Sequence, residues 1–161
     1  MKKMIYFAAA ALSMVSMAAC SGNKCGGNGK CAPAIPDEVY AGILPVADAD
    51  GMSYTLRLDY DDDKGNKAGD YDLTEQVLVS DSTNFLGLTP SATFLSEGDF
   101  TVVEKDGNKY LKLVKDVKNS NAAASGTLTF LVASDSTLVM VNDVTMETPT
   151  DVAAYTLKMV K

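Results

Sequence analysis

From Val39 onward, apolar and polar residues alternate with a period of two. Tyr54, Leu56, Leu58 and Tyr60 fall on one face of a run whose other face carries Thr55, Arg57 and Asp59. Tyr71 and Leu73 alternate with Asp70, Asp72 and Thr74, and Leu111 and Leu113 flank Lys112. Leu128, Phe130 and Val132 alternate with Thr127, Thr129 and Leu131; Tyr155, Leu157 and Met159 alternate with Thr156 and Lys158. Alternation of this kind, rich in β-branched and aromatic residues, predicts half-buried strands.

Turn residues separate the runs. Asp106-Gly107 joins Phe100–Glu104 to Lys109–Val114, and Asp-Gly is a strong two-residue hairpin signal. The stretch Asp61-Asp62-Asp63-Lys64-Gly65-Asn66 and the triplet Ser134-Asp135-Ser136 predict two further turns. No segment carries a sustained helical stripe. The expected fold is therefore all-β: about eight short strands in an antiparallel meander, closed into a small barrel that leaves no sheet edge exposed. Residues 80–98 and 119–126 read as irregular connections.

The chain begins differently. Lys2 and Lys3 precede an apolar run, Met4–Met17, that closes on Ala18-Ala19-Cys20. A positive start, a short apolar stretch and small residues at the end make a secretory signal, and the run falls short of the ~20 residues of a membrane-spanning helix. Met17-Ala18-Ala19-Cys20 resembles the bacterial lipobox, in which the cysteine thiol takes a diacylglyceryl group as a thioether. The expected division is a signal peptide over 1–19, a Gly-, Asn- and Pro-rich flexible tether over 20–38, and a barrel domain over 39–161. Lipidation of Cys20 would hold the protein to a membrane. Ser21, where an aspartate would favour retention at the inner membrane, points by analogy to the outer membrane. The absence of an acidic run in Ser21-Gly22-Asn23-Lys24 makes the periplasmic side the default.

Cysteine use fits export. Of Cys20, Cys25 and Cys31, acylation of the first leaves two. Three fates are open to Cys25 and Cys31: a short disulfide, spare thiols or, least readily, a thiolate metal site. A disulfide there would stiffen the tether more than the fold.

Charge and composition then exclude whole classes. Removing the leader with its two lysines takes the net charge from −7 to −9, which argues against nucleic acid and against adhesion to anionic head groups. The chain has no histidine, so the usual general base and the commonest metal ligand are both missing. An enzyme is not expected, and neither is a cofactor.

Tyr40-Ala41-Gly42-Ile43-Leu44-Pro45-Val46-Ala47-Asp48-Ala49-Asp50-Gly51 resembles the opening of the NlpE-type copper-resistance lipoprotein domain. That family typically opens Tyr-x-Gly-x-Leu-Pro-Cys-Ala-Asp-Cys-x-Gly. The resemblance implies a lipocalin-like barrel on an outer-membrane lipid anchor, with relatives linked to copper tolerance and to signalling of envelope stress or surface contact. Tyr40, Gly42, Leu44, Pro45, Ala47, Asp48 and Gly51 match the motif, but its two cysteines are replaced by Val46 and Ala49. The matching residues would keep the loop's shape, while valine and alanine can neither hold Cu(I) nor cycle as a dithiol. No metal site is carried over.

The other candidates are weak. Asp48, Asp50 and Asp61–Asp63 resemble part of a calcium loop, but the closing bidentate glutamate has no counterpart in Met52–Tyr60. Turn aspartates bonding local backbone are the plainer reading, Asp48 among them. Met140 and Met159 lie on strand faces, where methionine ordinarily packs. The expected function is a non-catalytic, membrane-anchored envelope lipoprotein. It would serve stress sensing, adaptation or outer-membrane maintenance through an envelope protein partner. The alternatives are a lipocalin-like carrier of a small apolar ligand and a metal-handling binding protein.

Overall fold

The computed structural model describes residues 38–61, 64–65, 67–85, 87–115 and 126–161. The leader, Cys20, Cys25, Cys31 and the tether lie outside them, as do Asp62, Asp63 and most of the connection expected at 119–126. Eight strands follow one another: β1 (Glu38–Leu44), β2 (Gly51–Tyr60), β3 (Ala68–Ser80), β4 (Leu88–Lys105), β5 (Asn108–Lys115), β6 (Gly126–Ser134), β7 (Thr137–Val141) and β8 (Thr156–Met159). Each pairs antiparallel with its neighbour in sequence, and β1 pairs with β8 to close the barrel. The expected all-β meander is the fold. The closing seam is short, Tyr40↔Met159 and Ala41↔Lys158, and is extended by hydrogen bonds between Val39 and both Lys161 and Val160.

Alternation determines which side chains fill the barrel. Tyr40, Leu44, Leu56, Leu58, Tyr71, Leu73, Phe100, Leu111, Leu113, Phe130, Leu138 and Leu157 are each 2 % exposed or less and form one cluster. Burying each large apolar side chain is worth about 1.5–3 kcal/mol, so this row dominates the stability of the domain. Met52, Met140 and Met159 pack against it, as methionines on strand faces should.

Asp106 and Gly107 take φ of 52° and 79°, the left-handed pair of a type I′ hairpin. The turn after Ser134 joins β6 to β7 as expected. The region 80–98 differs. Only residues 81–87 connect, and the chain from Leu88 onward is the first half of β4, paired residue by residue with β3. Pro90 and a register shift between Val77 and Leu78 break the alternation there, which hides the strand in the sequence.

The outer face of β5–β7 is also buried. Tyr110, Thr129, Val139 and Val141 are nearly inaccessible although they alternate with the inward residues. The long connection after β7 explains this. Lys105, at the end of β4, donates to the Thr145 carbonyl at 3.2 Å, so the chain must cross the outside of β6 and β5 to reach it. A short 3-10 turn, Ala153–Tyr155, then lies against β1 and β7 before β8 begins.

Candidate functional site

The motif residues divide between strand and loop. Tyr40 and Leu44 are inward residues of β1 and are sealed in the core. Gly42 sits between them for want of space: a Cβ there would stand 2.8 Å from the Thr156 carbonyl oxygen and 2.9 Å from Leu157 Cδ2. Pro45, Val46, Ala47 and Asp48 are exposed on the β1–β2 loop, with Ala49 half-buried beside them. Gly51 is buried at the start of β2, where a Cβ would meet Ile43 Cγ2 at 2.8 Å.

The carboxylate that ties this loop down is that of Asp50. Its Oδ2 accepts from the Ser80 amide at 2.6 Å and the Ser80 hydroxyl at 2.9 Å, and its own amide donates to the Leu78 carbonyl. Val46 and Ala49 thus sit at the surface of a loop held to the end of β3. They offer no sulfur to a metal or an electron pair. Among the described residues, no three His, Cys, Asp or Glu side chains gather closely enough to hold a metal ion.

The lower end of the barrel, near the Asp106-Gly107 turn, opens into a mouth of about 430 Å³. Tyr40 and Tyr60 floor it and share one partner: the Tyr40 hydroxyl donates to Glu38 Oε2 at 3.0 Å, and the Tyr60 hydroxyl to the same oxygen at 3.4 Å. The Tyr60 ring meets Phe100 edge to face at 5.0 Å. Burial, and then the Glu38 charge, push both phenols far above the ordinary tyrosine range. The rim carries Glu104 and Asp135 against Lys67 and Lys109.

The upper half of the interior holds an ion pair that the sequence does not announce. Lys115 Nζ donates to Glu75 Oε2 at 2.6 Å, with side chains 9 % and 5 % exposed. Tyr54, opposite Glu75 in the β2–β3 ladder, hydrogen-bonds the same carboxylate, and burial with that carboxylate raises its phenol. Parity was the available signal. Glu75 continues the inward series Tyr71, Leu73, and Lys115 the series Leu111, Leu113.

A third feature lies outside, along β2–β4. Asp59, Asp70 and Asp99 stand abreast in register, and Asp72 faces Glu97 in the next row. Like charges directly opposite one another weaken a sheet. Burial raises the Asp70 carboxyl above the usual range, and so do the hydrogen bond and charge of Asp99.

An eight-stranded antiparallel barrel with a filled interior, opened by the Tyr-x-Gly-x-Leu-Pro strand and loop, defines a lipocalin-like small-barrel domain. The chain belongs to the NlpE family: the model of the NlpE N-terminal domain matches residues 40–149. No curated protein and no solved structure matches it. The family is one of envelope lipoproteins and is not known for enzymes. No helix among the described residues is long and apolar enough to cross a membrane.

Proposed function

We propose that this protein is an outer-membrane lipoprotein, acylated on Cys20, whose barrel faces the periplasm. It works without catalysis, through contacts with another envelope protein, in stress sensing, adaptation or outer-membrane maintenance. The observation that carries this reading is the filled interior. Leu56, Leu58, Leu73, Leu113, Phe130, Leu138 and Leu157 occupy the positions that would line a carrier's cavity. Eight strands leave an interior just wide enough for such side chains. A small apolar ligand would be confined to the mouth above Tyr40 and Tyr60, whose rim is charged.

The loss of both motif thiols, at Val46 and Ala49, turns the reading further from copper and redox chemistry and toward the surface. The membrane bond falls to the lipid, since an acidic domain gains nothing from anionic head groups and several acyl chains anchor stably where one does not.

Two measurements test this. The intact mass of protein taken from its own membranes should show the leader gone and the acyl mass on Cys20. Deleting the gene should change an envelope-stress output or outer-membrane integrity, and a soluble version lacking Cys20 should fail to restore it. An unlipidated mature mass, or a deletion with normal stress outputs and integrity, overturns the proposal.

A further inference from the structure

Glu38 opens β1 beside the floor of the mouth, and its parity is inward, two residues before Tyr40. Tyr40 and Tyr60, on neighbouring strands, both donate to its Oε2, at 3.0 and 3.4 Å. Neutral phenols supply donors but no charge. Among the described residues, neither lysine of the rim, Lys67 or Lys109, comes within ion-pair distance of Glu38. The carboxylate therefore keeps its charge in a recess whose other walls, Val102, Leu111, Val132 and Leu138, are aliphatic.

The rim does not cancel that charge. Three carboxylates, Glu38, Glu104 and Asp135, meet two ammonium groups around the mouth. Glu104 and Lys109 face each other across the β4–β5 ladder and offset one another, and Lys67 can answer only one of the remaining two acids. One negative charge is left over, in a chain whose net charge of −7 already draws cations toward it.

These features select a cation, and an organic one. A metal ion needs several oxygen ligands, whereas Oε2 of Glu38 is taken up by two donors and no three carboxylates gather among the described residues. An alkyl carboxylate held by Lys67 or Lys109 would lay its chain against an unanswered negative charge, which is costly. An ammonium group reverses that cost. It pairs with Glu38, aromatic rings such as those of Tyr40 and Tyr60 attract it through their faces, and an attached carbon chain covers Leu111 and Leu138. A volume of about 430 Å³ suits a head group with a short chain.

We propose that the mouth is a binding site for a small organic ammonium ion, its head against Glu38 between Tyr40 and Tyr60 and its apolar body on the aliphatic wall. The site is independent of the protein-contact reading: either can fail without the other.

The test is a calorimetric titration of the full-length protein, taken from its own membranes in nonionic detergent, with detergent alone as the blank. Butylammonium and butyltrimethylammonium are the probes, against n-butanol and butyrate as neutral and anionic counterparts of the same chain. At least one ammonium ion should bind tenfold or more tightly than butanol and butyrate. Glu38→Gln should weaken that binding at least tenfold. Lys109→Glu, at an exposed rim position, should strengthen it at least threefold, and decides the matter if Glu38→Gln fails to fold. Absence of ammonium binding overturns the proposal. Equal binding of butanol overturns it as well, since the mouth would then be selecting for apolar surface alone. Ammonium binding that is unchanged by Lys109→Glu, or by a folded Glu38→Gln protein, places the cation elsewhere and also overturns it.

Discussion

Lys115 and Glu75 meet at 2.6 Å inside a barrel otherwise filled by leucine and aromatic side chains. They come from β5 and β3, on either side of β4, and Tyr54 completes the set. Two charges taken out of water repay their desolvation only while both are present. Lys115→Met alone should therefore destabilise the domain by about 3–5 kcal/mol, and Glu75→Leu alone should approach that loss. Glu75→Leu combined with Lys115→Met should recover most of it. Urea unfolding of the four proteins gives the coupling energy; additive losses would show that the pair does not act as a unit.

Gly69 faces Phe100 across the β3–β4 ladder and Tyr60 across the β2–β3 ladder. A Cβ on it would collide with the Asp59 carbonyl oxygen and stand 2.9 Å from Phe100 Cε1. The first of these neighbours is backbone and cannot swing aside. Gly69→Ala should cost at least about 1–3 kcal/mol, the usual range for overpacking. The urea midpoint should fall with an unchanged slope, and a midpoint within error of wild type would show that the two ladders can separate cheaply.

Tyr40, Tyr54 and Tyr60 resist ionisation in the fold, chiefly through burial and then through Glu38 or Glu75. Their folded pKa values lie above the unfolded one near 10. The stability they contribute is complete below that pH and is lost as pH rises beyond it. Stability should therefore drop steeply in alkali, with these phenolate signals appearing together at unfolding. Tyr60→Phe should flatten the decline, and smooth titration of all tyrosines near pH 10 in the folded protein would contradict the expectation.

Asp70 is the middle member of the Asp59–Asp70–Asp99 row, and its carboxyl is raised by burial and by Asp99. A raised folded pKa means that its contribution is present when protonated and is lost as pH climbs through the carboxylate range. Asp70→Asn should stabilise the protein at pH 7 and not below about pH 3, where Asp70 is protonated in both states. Added salt should shrink the benefit by screening. Equal midpoints for the two proteins at pH 7 would refute the repulsion.

Much of the barrel was legible because inward residues must be apolar and must recur every second position. Tyr54–Tyr60, Leu111–Leu113 and Leu128–Val132 each announce a strand and its buried face, and Asp106-Gly107 announces a hairpin by its conformational preference. The first half of β4 escaped because Pro90 and the register shift beside Leu78 interrupt the period. The covered outer face at Thr129, Val139 and Val141 escaped for another reason: it depends on where the Asn142–Tyr155 connection runs, which is a long-range matter.

The sequence by itself determined the strands other than the first half of β4, the meander order and the absence of thiols at Val46 and Ala49, because these are local facts of spacing and residue type. Only the tertiary structure decided that Glu75 meets Lys115 and that Asp59, Asp70 and Asp99 stand abreast. Those relationships depend on the register between strands and on the geometry of closure, and no alternation within a single strand encodes either.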